Sequence, residues 1–346
     1  MSRKVRNRVI IIVGVVLILL PFYRLPFYVT KPGGAHDVTE IVEIQEGYEQ
    51  EGAFFITTVQ MGKANIYTYL SAKFLPYHNV FAEEEVRRPE ESDEAYATRQ
   101  LYYMENSTHN AVITAFEAAS KPYELSYEGI YVLNVFPQFE ASKVIKPGDR
   151  IIKIDDQSFN SSKEFIEYVQ QKQPNDQVSV TIIREEEKIN HSITLQEYED
   201  GKAGIGIELV DDRELSSSPE VKWDTSTIGG PSAGLLFSLE VYNRLVPEDI
   251  SKGYEIAGTG TISENGEVGR IGGIEQKIVA ADSAGAEIFL APNDEITAEL
   301  RKEFPEMKSN YDAAVETAKE IESEMVIVPV KTFDEALAYL KDLTTK

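Results

Sequence analysis

The feature that most constrains this chain is an uninterrupted apolar run close to its N-terminus. Residues 9–23 contain no charged side chain. Four basic residues precede the run: Arg3, Lys4, Arg6 and Arg8. Fifteen helical residues rise only about 22 Å, which is less than the roughly 30 Å of a bilayer's hydrocarbon core. Residues 25–29 supply the remaining depth when Arg24 extends towards the outer interface. The pattern predicts a transmembrane anchor over residues 9–29.

A cleaved signal peptide is the alternative, because its apolar core has about the same length. Its small-residue cleavage site should follow within a few residues, but prolines and bulky aromatic residues stand there, and Gly33-Gly34-Ala35 lies farther downstream. The aromatic residues would form a belt at the lipid headgroups instead. Basic residues remain in the cytoplasm, so residues 1–8 are predicted to be a cytoplasmic stub. The chain from Lys31 onward is then extracellular, and the protein is a single-pass protein of the cell membrane.

Composition excludes several classes of function. The formal net charge of −24, with 58 acidic against 34 basic residues, disfavours nucleic acid as a partner, because phosphate binding needs a basic surface. The chain has no cysteine, which excludes disulfides, thiolate metal sites and thiol nucleophiles. It also contains no GxxxxGK[ST] phosphate-binding loop, so ATP is not expected as a partner. No cofactor and no metal site is predicted.

The fold class expected is a multi-domain α+β protein. Residues 36–124 form a small α/β segment with a strand over 53–59 and a helix that Ser92 caps. This segment carries no recognisable chemistry and is interpreted as a spacer or scaffold. In residues 203–346, short strands alternate with helices of 8 to 14 residues, as in an α/β or α+β catalytic domain.

Residues 125–202 contain several short strands, one helix and the string KPGDRIIKIDDQSF, which begins at Lys146. This order of elements resembles a PDZ domain of the bacterial envelope-protease type. The resemblance implies that the loop at 127–129 offers backbone N–H groups to a peptide carboxylate. The following strand would then pair with the peptide by β-augmentation. The peptide-binding residues expected are Gly129, Ile130, Tyr131 and Val132. A PDZ fold that only packs on its neighbour is the alternative.

Residues 228–234, with the sequence IGGPSAG, precede a run of apolar residues at helical spacing. Ser232 is therefore expected at a helix N-terminus, where unpaired N–H groups and the helix dipole stabilise an oxyanion. The backbone of Gly230 and Ser232 is predicted to supply those donors. The alternative is that Ser232 only caps the helix, which is the common role of a serine at this position.

The histidines restrict the choice of a general base. The chain has four, and the last is His191, so residues 203–346 cannot supply the base of a Ser-His-Asp triad. A Ser-Lys pair is the known alternative. Its lysine must lose about three units from a pKa near 10.4, which burial can achieve. Lys277 is the best-placed lysine, because it lies in the first turns of an apolar helix that follows Gly272-Gly273. A solvent-facing lysine is the alternative.

Two blocks in the same order, GGPSAG and AGTGTISENGEVGRIGGIEQK, resemble the proteolytic domain of Lon-type peptidases. The resemblance implies that Ser232 and Lys277 form a catalytic dyad and that Thr259 helps to hold the lysine. An anchor, a PDZ-like domain and a Lon-like domain in this order resemble a family of Gram-positive cell-surface serine proteases. Members process secreted signalling peptides or degrade small membrane-associated division regulators. The function predicted is cleavage of peptides or small proteins. A binding module with an inert peptidase fold and a secreted soluble enzyme remain alternatives.

Overall fold

The computed structural model describes residues 2–226 and 228–346, so Met1 of the predicted stub lies outside the described residues. The first element is helix α1, Arg3–Leu19, which one 3-10 turn, Leu20–Phe22, follows directly. Together they are long and apolar enough to cross a membrane, with a mean hydropathy of 2.2 and 0% of the apolar window buried.

Residues 25–29 do not continue this helix. They belong to strand β1, Arg24–Asp37, and pair with β3, Ala53–Asn65, and β4, Asn79–Ala82. Tyr28 is buried in the protein. The prediction that these residues complete the anchor is therefore wrong, because their backbone groups take part in a β-sheet. Since they resume the apolar run after a single charged residue, Arg24, composition could not separate strand from helix here.

The largest sheet has six strands in the order β17-β16-β13-β3-β1-β4. Strands β17, β16, β13 and β3 run parallel to one another. Strand β1 runs antiparallel to its two neighbours, β3 and β4. The strands not yet given are β13 Glu255–Gly258, β16 Ile288–Pro292 and β17 Val326–Val330. Strands from the predicted spacer and from the C-terminal segment thus share one sheet. Residues 24–82 are an integral part of the fold that carries Ser232 and Lys277.

Helices cover this sheet. The helix that Ser92 was predicted to cap is α4, and the Ser92 hydroxyl accepts a hydrogen bond from the N–H of Ala95 at 3.0 Å. Buried apolar residues of α4, among them Val112 and Phe116, share a core with Leu235 and Leu236 of α6. The helices of this part are α2 Ile66–Ala72, α3 Glu83–Val86, α4 Asp93–Ala118, α6 Gly234–Leu245, α7 Ile274–Ser283, α8 Ala298–Glu303, α9 Asn310–Glu320 and α10 Phe333–Lys341.

A second, antiparallel sheet has the order β11-β5-β6-β7-β8. One helix, α5, packs on it through Phe165 and Val169. The elements are β5 Tyr123–Val135, β6 Arg150–Ile154, α5 Ser162–Gln170, β7 Gln177–Arg184, β8 Glu187–Thr194, β9 Gln196–Glu197, β10 Ala203–Gly204 and β11 Ile207–Ser217. The remaining short strands are β2 Val42–Ile44, β12 Val221–Trp223, β14 Thr261–Ile262 and β15 Val268–Gly269.

Helix α4 contacts both parts of the molecule. The Tyr102 hydroxyl donates to the carbonyl of Asp211 in β11 at 3.2 Å, and the Tyr102 ring stacks on Tyr131 of β5 with centroids 5.6 Å apart. Elsewhere Arg213 of β11 forms an ion pair of 2.7 Å with Glu264. Polar and aromatic contacts therefore fix the second sheet to the fold that carries Ser232.

Candidate active site

Ser232 lies in a loop whose shape depends on α4. Gly230 has a φ of 84°, in the region that favours glycine, and its N–H donates to the carbonyl of Gln100 at 3.2 Å. The Ser107 hydroxyl donates to the carbonyl of Pro231 at 3.1 Å. Helix α6 begins only at Gly234, and its N-cap residue, Ala233, makes no side-chain cap. Ser232 thus precedes the helix and is not its cap.

Lys277 approaches Ser232 from helix α7. This helix begins after Gly273, whose φ of 69° needs glycine, and Lys277 lies in its first turns. The lysine is only 4% exposed. Its Nζ lies 2.9 Å from the Ser232 Oγ and 2.7 Å from the carbonyl oxygen of Thr57 in β3. The two residues are 45 positions apart in the sequence, and packing of α7 near the loop before α6 brings their side chains together.

Burial of Lys277 favours the neutral form of its amine. It lowers the pKa of Lys277 from 10.5 to about 7, because an ammonium group loses its hydration in the protein interior. A neutral amine at 2.9 Å from a hydroxyl can accept the proton of that hydroxyl. The pair can therefore generate a nucleophilic serine near neutral pH.

Thr259 has a different contact from the one expected. Its hydroxyl donates to the carbonyl of Ser232 at 3.0 Å, and the N–H of Gly260 donates to the same carbonyl at 2.9 Å. The lysine is held by the Thr57 carbonyl instead. The prediction that Thr259 holds Lys277 is corrected accordingly. Every residue has a backbone carbonyl, so the residue type of Thr57 did not mark it as the partner of Lys277. The only relevant feature of the sequence was the predicted strand at 53–59.

The oxyanion donors predicted from the sequence separate into two cases. The N–H of Gly230 is already hydrogen-bonded to Gln100, so Gly230 is not available as a donor in this structure. Gln100 lies in helix α4, 130 residues before Gly230. The IGGPSAG sequence alone could not indicate a hydrogen bond to so distant a residue. The Ser232 N–H as an oxyanion donor stays a prediction. Among residues 2–226 and 228–346, no group of three or more His, Asp or Glu side chains is arranged to hold a metal ion.

The strand predicted to bind a peptide lies inside the second sheet. Residues 129–132 of β5 pair with β11 on one side, and residues 130–131 pair with β6 on the other. The N–H of Val132 donates to Asp149 and its carbonyl accepts from Gly148. The prediction of Gly129, Ile130, Tyr131 and Val132 as the peptide-binding edge is wrong, because both edges of this strand are occupied.

An apolar groove of about 310 Å³ lies instead between α5 and the chain at 203–209. Strand β11, at the edge of the second sheet, contributes to it. The residues that line it are Phe165, Ile166, Val169, Gln170, Tyr198, Ala203, Gly204, Ile205, Ile207 and Leu209. The Tyr198 hydroxyl accepts a hydrogen bond of 3.1 Å from the N–H of Gly206. The alternation of glycine and isoleucine at 204–207 is the feature of the sequence that could have indicated this groove.

Comparison with known proteins divides the chain in a similar way. Residues 105–195 match the model of the PDZ domain, and residues 226–340 match the Lon protease (S16) C-terminal proteolytic domain. A Lon protease of Campylobacter concisus is 32% identical over 109 residues, which are 31% of this chain and 11% of that protein. A Lon protease of Metamycoplasma arthritidis is 27% identical over 117 residues, which are 34% and 12%. The match thus spans little more than a tenth of these relatives.

Solved structures match the other part of the chain. The PDZ domain of the SdrC-like protein from Listeria monocytogenes is 35% identical and covers 25% of this chain and 93% of its own length, with a TM-score of 0.25. The corresponding domain from Listeria innocua is 38% identical and covers 23% and 92%, with a TM-score of 0.23.

Proposed function

Because the chain combines a PDZ domain with the proteolytic domain of Lon-type proteases, we propose that it is an ATP-independent serine endopeptidase anchored in a membrane by α1. Ser232 is the nucleophile and Lys277 the general base. One observation carries this proposal: a lysine that is 4% exposed has its Nζ 2.9 Å from a serine hydroxyl that caps no helix.

The mechanism follows from the contacts of Lys277. The Thr57 carbonyl accepts one N–H of the neutral amine, which leaves the nitrogen lone pair free to take the Ser232 proton. Oγ then attacks the substrate carbonyl, and the Ser232 N–H is the proposed donor to the oxyanion. The resulting ammonium returns the proton to the leaving amine. Water hydrolyses the acyl-enzyme by the same proton transfers.

Substitutions at the dyad test the proposal. Ser232→Ala and Lys277→Met should each lower kcat by about 10³-fold or more, the scale seen when one member of a catalytic unit is lost, and the double variant should be no worse. Lys277→Arg should be equally inactive, because a guanidinium does not deprotonate in a protein. Cleavage of a disordered protein, followed on gels, gives the readout. Ser226→Ala, an exposed serine on the same segment, is the matched control and should keep parental activity.

Folding must be checked beside activity. Lys277→Met should unfold at a temperature no lower than the parent, since it removes an amine whose burial is costly. Parental cleavage by Lys277→Met would refute the assignment of the base. Parental cleavage by Ser232→Ala would leave a binding module with an inert peptidase fold as the better interpretation.

The groove between α5 and β11 is the proposed capture site for the substrate. An extended peptide can pair with the edge of β11 while its apolar side chains enter the groove, whose wall includes Ile166 and Leu209. Capture on the same chain raises the effective concentration of substrate near Ser232. The substrates proposed are unfolded segments or small proteins close to the membrane surface.

A further inference from the structure

Exposed apolar side chains form a patch on α2 and on the turn that follows it. We call this patch the α2 face and define it by four residues: Tyr67, Leu70, Phe74 and Leu75. Their exposed fractions range from 42% for Tyr67 to 86% for Phe74. Single exposed apolar residues are ordinary on protein surfaces. Several together mark a surface that binds a protein, a ligand or a membrane.

The α2 face lies level with the point where the chain leaves α1. Asn65, which caps α2, pairs with Arg24, the first residue of β1. The rings of Phe27 in β1 and Tyr69 in α2 have centroids 5.1 Å apart. Helix α2 also contacts the turn Leu20–Phe22 at the end of α1. The face is thus held beside the exit of the apolar helix, where Phe22 is itself 77% exposed.

The local charge differs from that of the rest of the chain. The net charge is −24, yet residues 1–36 and residues 52–82 contain no Asp or Glu. Within 52–82 the charged residues are Lys63, which pairs with Glu83 and Asp93 at 3.1 and 3.6 Å, and Lys73. The Lys73 Nζ lies 5.3 Å from the Tyr69 ring centroid, on the helix that bears the apolar side chains. An anionic lipid surface repels an acidic protein but attracts an ammonium group, so Lys73 favours approach by this side.

We infer that the α2 face inserts into the outer interfacial layer of the bilayer that α1 spans. The fold that carries Ser232 then contacts the membrane at two places, the end of α1 and α2. Apolar side chains beside Lys73 suit this layer, where rings and aliphatic groups enter the acyl boundary and an ammonium group stays among the headgroups. The inference rests on the proposed anchor, because a bilayer must lie next to the end of α1.

The absence of cysteine allows a direct measurement on the full chain. Single cysteines are introduced as Phe74→Cys, Tyr23→Cys and Lys163→Cys, and each is labelled with an environment-sensitive fluorophore. All three positions are exposed, at 86% and 64% for Phe74 and Tyr23 and 85% for the Lys163 side chain, so folding should be preserved. The labelled proteins are reconstituted in vesicles of phosphatidylcholine and phosphatidylglycerol, with and without nitroxide-labelled lipid.

The expected result is a blue-shifted emission at position 74 that nitroxide lipid quenches about as strongly as at position 23. Position 163, on α5, should show neither effect. Quenching at position 23 without quenching at position 74 would overturn the α2 inference and leave the anchor intact. Quenching at neither position would refute the anchor as well. A blue shift at position 74 in detergent that depends on protein concentration would assign the face to a second copy of the chain and overturn the inference.

Discussion

The charge of Lys277 should control how activity depends on pH. Its pKa is about 7, because burial favours the neutral amine, and only the neutral amine can accept the Ser232 proton. We therefore expect kcat/KM to fall about tenfold per pH unit below about pH 7 and to level off above it. The profile is measured with a short peptide whose own groups do not titrate in this range. A plateau that continues down to pH 5 would contradict the role of Lys277.

The same group should make stability depend on pH. Between about pH 7 and 10.5 the unfolded lysine carries a proton that the folded one lacks, so its contribution to the free energy of unfolding rises with pH. Below about pH 7 both states are protonated, and the full cost of burying the charge is present. Lys277→Met should lack this contribution. Urea unfolding of parent and variant at several pH values gives the difference, and a constant difference would contradict the lowered pKa.

Side chains in this site were easier to predict than backbone groups. Ser232 and Lys277 stand in two recognisable blocks, and the lack of histidine in residues 203–346 left lysine as the predicted base. The acceptor for Lys277 is a carbonyl in β3, and the N–H of Gly230 is bonded to α4. Both contacts depend on elements more than a hundred residues earlier in the chain. Short sequence patterns carry no information about hydrogen bonds between residues so far apart in the chain.

At the level of elements, the groove beside α5 should govern capture of long substrates. Ile166 lines it, so Ile166→Glu places a charge on an apolar wall and should raise KM for a disordered protein several-fold. Cleavage of a short peptide at saturating concentration should change little. Lys163→Glu puts the same acid on an exposed position of the same helix and is the control. Equal losses for both substrates, or an equal effect of Lys163→Glu, would show that the groove does not select substrate.

Elements with local signals were predicted well, and those without them were not. Helix α4 could be predicted because Ser92 and the acidic first turn mark its start, and the structure confirms that cap. Residues 25–29 of strand β1 were mistaken for membrane helix, since they carry no charge and follow closely on the apolar part of α1. The position of β5 inside its sheet follows from pairing with β11, which arrives about eighty residues later. Strand order is a long-range property, so periodicity could not provide it.

At the level of the whole molecule, the proposed topology can be tested in cells. Glu186→Cys, in the exposed turn between β7 and β8, should react with a membrane-impermeant maleimide on intact cells. Ser2→Cys, before α1, should react only after the membrane is opened. Both positions are exposed, so access to the reagent is the only variable. Labelling of position 186 only after lysis would contradict an extracellular catalytic part.

Strand β1 starts at Arg24, and only Tyr23 separates it from the turn that follows α1. Eleven positions farther, Ala35 pairs with Thr57, the residue that holds Lys277. At about 3.3 Å per residue the strand spans at most about 36 Å over this distance. If α1 spans a bilayer, the length of β1 limits the distance between the membrane surface and the Ser232–Lys277 pair. A substrate with its own membrane anchor would then be cut within about a dozen extended residues of that anchor, whatever the sequence at the cleaved bond.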